Sequence, residues 1–304
     1  MKRLAWMLLL SMAAGGTGYP EDAYDAPQGI FLPVPGGLSG LGATSAAGVL
    51  AGGDPRWAAW NPAVPADREL PLFSTNVSVA FPTAAQRGVG GAFGVAAALP
   101  TAVGVSWFSA DLAAADKTLS AWSVPPGFSA AAGVSRRVGD ALSLGLGLAG
   151  AYSSDGNPAT GLYGNIGALV DLPGLAPRGS TVGLSAIVPG PTPILLWESG
   201  LTGTERFACS LSAVAAAPHL ADLAIGFGVS FALGPTVTVD LGYALESIQA
   251  GHEPALGPSL SVRLEASDFL RFGTYGASPT LAVRPVSAGV LHGGVSAVFS
   301  AGER

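Results

Sequence analysis

The chain has 304 residues, a net charge of -6, and only 11% Asp, Glu, Lys or Arg, whereas an average soluble domain carries roughly 25%. With 49% hydrophobic residues, 44 glycines and a mean hydropathy of +0.47, it has too few long polar side chains to cover a water-facing surface of this size. No basic cluster is longer than Arg136-Arg137, which excludes the footprint a nucleic-acid partner needs.

In chain order, the first element is a leader. Lys2 and Arg3 precede an apolar run from Leu4 to Ala14, and Gly16 and Gly18 are small residues spaced for cleavage after Gly18. Residues 1–18 are therefore expected to be a cleaved signal peptide. The apolar run is shorter than the roughly 20 residues of a membrane helix. The next segment, 19–68, contains Gly52 to Ala63, GGDPRWAAWNPA, the densest chemistry in the chain. Asp54 suits an N-cap and Pro55 the first position of a short helix. Trp57 and Trp60, three apart, then share a face. Asn61-Pro62-Ala63 ends the helix, because the residue before a proline is pushed out of the helical region.

From residue 69 onward the dominant signal is alternation. Phe73, Val77, Val79 and Phe81 alternate with Ser74, Asn76, Ser78 and Ala80. Leu142, Leu144, Leu146 and Leu148 alternate with Ser143, Gly145, Gly147 and Ala149. Leu223 to Leu233, Val237 to Leu245 and Leu260 to Leu264 repeat the pattern, with large residues on one face and small ones on the other. Expected strands are 70–81, 88–99, 101–110, 120–137, 141–153, 160–171, 180–189, 205–217, 222–233, 235–248, 257–266, 268–276, 284–292 and 294–300. The stretch Gly88 to Ala110 is uncharged and long enough for a membrane helix, but its glycines and Pro100 favour two strands turning at Pro100. The longest loops are expected near Asp111–Lys117 and Pro191–Glu205.

A soluble sandwich packs its large residues inward and carries polar residues outside. Here the second face is Gly, Ala and Ser, which solvates a sheet poorly. Turned inside out, the pattern fits an all-β, transmembrane antiparallel β-barrel of about 14 strands over residues 69–304, with large residues on lipid and small ones on the lumen. A closed barrel is the only β-structure able to span a bilayer. Asp240, Glu246, Arg263 and Glu265 fall on the small-residue face, so they are expected in the lumen, either as a polar spot that contacts substrate or plug or as charges that simply pair with one another. Asp171, at a strand end, is expected to be ion-paired too.

Searches for catalytic and cofactor chemistry are empty. His219, His252 and His292 are far apart, and no HExxH, CxxC or paired-His spacing exists, so neither a metal nor a cofactor is expected. Gly145 to Gly150 matches GxGxxG but lies inside an alternating strand with no helix after it. No Gly-x-Ser-x-Gly elbow occurs, and the chain does not read as an enzyme. Cys209 is the single cysteine, which excludes an internal disulfide.

One stretch resembles a known family. Leu41-Gly42-Ala43, Ala46 to Ala51, Gly53-Asp54-Pro55 and Trp60-Asn61-Pro62-Ala63 are similar to the N-terminal box of the FadL-like outer-membrane transporters, nearest the branch of PorV and uncharacterised spirochaete outer-membrane proteins. The family's box continues Gly-Leu-Ala where this chain has Val64-Pro65-Ala66. The resemblance implies that segment 19–68 is a plug, or hatch, inside the barrel. It also implies passive uptake of hydrophobic small molecules such as long-chain fatty acids across the bacterial outer membrane. PorV-like members instead dock exported proteins, a non-transporting alternative. Outer-membrane lipids, a hydrophobic ligand and the barrel-assembly machinery are the expected partners. The last strand, Gly294 to Phe299, is similar to the C-terminal strand by which such barrels are recognised.

Overall fold

The computed structural model describes residues 55–59, 61–82, 90–115, 127–153, 159–175, 179–188, 192–203, 207–216, 222–233, 237–246, 255–264, 271–272, 275–287 and 290–301. The expected signal peptide, residues 19–54 of the expected plug (Asp54 among them), Trp60 and Glu265 lie outside the described residues. Among the described residues, two short 3-10 turns, Pro55–Ala59 and Val64–Asp67, precede fifteen strands. These are β1 (Leu72–Pro82), β2 (Gly90–Thr101), β3 (Gly104–Ala115), β4 (Gly127–Val138), β5 (Leu142–Ser153), β6 (Ala159–Asp171), β7 (Ser180–Val188) and β8 (Thr192–Gly203). They continue as β9 (Phe207–Ala216), β10 (Asp222–Ala232), β11 (Val237–Glu246), β12 (Ala255–Leu264), β13 (Arg271–Phe272), β14 (Tyr275–Ser287) and β15 (Val290–Ala301). Among the described residues no helix is long and apolar enough to cross a membrane.

All the strands join one sheet, with sequential neighbours paired antiparallel from β1 to β12 and β1 paired on its other side with β15. β15 pairs with β14, and β14 also pairs with β12 over Leu260–Arg263 against Thr280–Val283. β13 is a two-residue strand against the start of β14.

The two faces of this sheet differ as the alternation predicts. On β5, Leu146 and Leu148 are 56% and 67% exposed, while Ser143, Gly145 and Ala149 on the opposite face are buried. Register extends the exposed face across strands, for Val77 stands opposite Phe93, Phe93 opposite Leu112, Leu112 opposite Phe128 and Phe128 opposite Tyr152. All five are exposed. On the same face of β9 and β10, the rings of Phe207 and Phe231 lie 5.4 Å apart at 60°, a tilted geometry that adds roughly 0.5–1.5 kcal/mol beyond area burial. The other face carries the two 3-10 turns and is called inner below.

Several sequence expectations need correction. Pro191–Glu205, read as a loop, contains β8, and Asp111–Ala115 belongs to β3. Pro191 and Pro193 and the carboxylate of Glu198 mask the alternation there, because prolines signal a break wherever they occur. Segments 268–276 and 284–292 do not match the structure: one strand, β14, spans Tyr275–Ser287, and β15 begins at Val290. Pro279 and Pro285 interrupted that reading, yet both stand in register with β15, opposite Ala297 and Leu291. The turn expected at Pro100 falls one pair later. Pro100 pairs with Val105, and Thr101 with Gly104, across a two-residue tip. Thr101 Oγ1 donates to the Gly104 carbonyl at 2.8 Å, and Gly104 has φ of 142°, in a region L side chains rarely adopt. Large residues are not confined to the outer face either, since Leu72, Val105, Trp107 and Leu169 are buried on the inner one.

Candidate functional site

The described part of the expected plug box is buried against the inner face. Pro55–Ala59 forms a 3-10 turn rather than an α-helical turn, and Trp57 within it is 2% exposed. This turn touches β1, β2 and β3, whereas the second turn touches β3, β4 and β5. Pro55, Asn61, Pro62 and Pro65 are the largest fully buried side chains. Three of these are prolines, which have no N–H to leave unsatisfied when backbone is buried against a wall.

Asn61 organises the segment. Its backbone N–H donates to Trp57 O at 2.9 Å and its carbonyl accepts from Val64 N–H at 3.1 Å. Its side-chain Oδ1 accepts from Ala63 N–H at 3.0 Å, an Asx-type turn that reverses the chain. Its Nδ2 donates across to Ala168 O of β6 at 3.1 Å. From the wall, Asn165 Nδ2 donates to Ala59 O at 2.7 Å. Two asparagines thus tie the segment to one strand in both directions.

The wall is cut to fit. A Cβ at Gly167 would run into Asn61 Oδ1 and lie 2.7 Å from Pro62 Cδ, and one at Gly145 would run into the Pro62 carbonyl. Gly133 and Gly147 make room for Trp107, whose Cζ2 would stand 2.6 and 2.8 Å from added Cβ atoms there. Gly145 and Gly147, part of the GxGxxG match, serve backbone approach on a strand rather than a phosphate. Among the described residues, the buried Trp107 Nε1 and Ser74 Oγ on this face have no hydrogen-bond partner.

At one end of the strands an ionic cluster joins the segment to the wall. Arg137, near the end of β4, pairs with Asp67 of the second turn, and through Nη2 with Asp171 Oδ2 at 3.1 Å. The same guanidinium donates to the carbonyls of Asp140 and, at 3.3 Å, Gly139. Asp171 Oδ1 accepts from Thr181 Oγ1 at 2.9 Å. The expected pairing of Asp171 is therefore met, by a residue that sequence reading did not single out.

Strand register places three residues of the expected polar spot, while Glu265 lies outside the described residues. Asp240 stands opposite Ser261 and Arg263 opposite Thr238, which makes Asp240 and Arg263 diagonal neighbours on adjacent strands. Glu246 stands opposite Ala255, six residues along β11 from Asp240. Among the described residues no three His, Cys, Asp or Glu side chains form a metal-binding group. Cys209 is free and buried.

No sequence family matches the chain, and no curated protein matches it. Solved structures do. A FadL homologue from Pseudomonas aeruginosa is similar at 13% identity and TM-score 0.50, covering 86% of this chain and 96% of that one. This is the fold of an outer-membrane β-barrel. Two further solved structures also match. The TodX deltaS2S3 mutant monoaromatic hydrocarbon channel has 12% identity and TM-score 0.44 over 86% of this chain and 99% of that one. Outer membrane protein Omp33 of Acinetobacter baumannii has 11% identity and TM-score 0.47 over 77% and 100%. For an outer-membrane barrel the exposed Leu, Val and Phe rows are the lipid face, and the face under the 3-10 turns is the lumen.

Proposed function

We propose that the chain is a barrel of fourteen long strands, β1–β12 with β14 and β15, whose N-terminal segment plugs the lumen and gates passive uptake of small hydrophobic molecules such as long-chain fatty acids. The observation that carries this reading is the burial of Asn61 to Ala66 against glycines cut into the inner wall. Connections at the end where β1 begins are short, such as the tip at Ala102-Val103 and residues 139–141, so that end is assigned to the periplasm. The C-terminal strand β15 is the segment offered to the assembly machinery.

A hydrophobic molecule leaving sideways needs a weak line in the wall. Beside the plug, the register from β1 to β7 is unbroken. The weak line lies elsewhere. β12 and β14 pair only from Leu260 to Arg263, and continuing that register sets Pro258 opposite Pro285, neither of which has an N–H to donate. On its other edge, against β15, β14 shifts register between Pro285 and Ser287. This seam is the outlet in the transport reading.

The unbroken wall beside the plug favours a second reading, a PorV-like barrel that docks exported proteins and transports nothing. Liposomes carrying the purified full-length chain separate the two. Labelled long-chain fatty acid is expected to enter faster than into protein-free liposomes. Equal rates would contradict transport and leave the docking reading.

A further inference from the structure

We infer that Arg137 is the positioning residue of the gate, an ionic latch that holds the plug at the periplasmic mouth; this rests on the plug reading above. Three elements meet at this one guanidinium. Asp67 closes the second 3-10 turn of the plug, Asp171 ends β6, and the carbonyls of Gly139 and Asp140 belong to the β4–β5 turn. Arg has a planar fork of five donors, so it satisfies acceptors on plug and wall together, as a lysine's single ammonium would not. Two neutral amide bonds, through Asn61 and Asn165, also join plug and wall, whereas the Asp67–Arg137 pair joins them through opposite charges.

The latch is also placed to release. The side chains of Arg137, Asp67 and Asp171 are 35%, 46% and 39% exposed, so water and salt reach the pair. Salt at 1 M shortens the screening length from about 10 Å to about 3 Å and weakens such links. Deeper in the lumen, the closed state leaves Trp107 Nε1 and Ser74 Oγ buried without partners among the described residues.

The test is single-channel recording in planar bilayers with the full chain, checked for folding by its heat-modifiable gel shift. Arg137→Gln is expected to raise the open fraction by about five- to tenfold, and Asp67→Asn, a change on the plug that leaves the wall intact, by about threefold. Arg137→Lys is expected to lie between wild type and Arg137→Gln. Raising salt from 0.1 to 1 M is expected to open the wild type about twofold and leave Arg137→Gln unmoved, a response a merely structural arginine would not give. If Arg137→Gln stays closed while deletion of residues 39–66 opens the pore, the latch is overturned and the plug stands. If the deletion itself changes nothing, the plug reading fails and the latch with it.

Discussion

Asn61 has no exposed surface and uses both ends of its amide, one to turn its own chain at Ala63 and one to reach β6 at Ala168. Asn61→Ala removes both bonds and strands two backbone partners, so a loss of about 1–3 kcal/mol is expected, read as an earlier thermal loss of the folded gel band. Gly145 and Gly167 test the same contact from the wall. Alanine at either position drives a methyl into the Pro62 backbone or the Asn61 amide, so the N-terminal segment must shift. Overpacking of this kind costs typically 1–3 kcal/mol, about that range here, and the double change with residues 39–66 deleted should cost much less. Equal destabilisation with and without the plug would show that these glycines serve the strands alone. The box around Asn61 was legible in the sequence because Trp, Asn and Pro stood out among small residues. Arg137 was not, because its partners Asp67 and Asp171 lie 70 and 34 residues away and only folding brings them together.

At the scale of elements, the two faces of each strand predict opposite tolerance. Leu148→Arg places a charge on the lipid face of β5 and is expected to cost about 2–4 kcal/mol near the bilayer midplane, measured by urea unfolding in liposomes. A cost below about 0.5 kcal/mol would put water on that face and reverse the inside-out assignment. β12 and β14 offer a second test. Pro285→Val restores an N–H at the seam and is expected to slow fatty-acid entry while leaving the gel shift intact; unchanged entry would move the outlet elsewhere. Strands with a strict large–small alternation, such as β5 and β10, were readable from periodicity alone. β8 was not, because Ile194, Leu195, Leu196 and Trp197 put large residues at successive positions, and β14 was not, because prolines inside a strand look like turns.

For the whole molecule, a low charge content, an apolar outer face and a glycine-cut inner face fit the fold of an outer-membrane β-barrel with lipid around it. The chain's likeness to a barrel of 13% identity shows how little sequence such a fold demands beyond its pattern. The gate is where the account commits itself most. Its most direct measurement is the initial rate of labelled fatty-acid uptake into liposomes carrying the full chain and, in parallel, the chain lacking residues 39–66. A gating plug predicts a rate that changes by about tenfold or more on deletion, with the barrel still heat-modifiable. The same rate from both folded chains would contradict it.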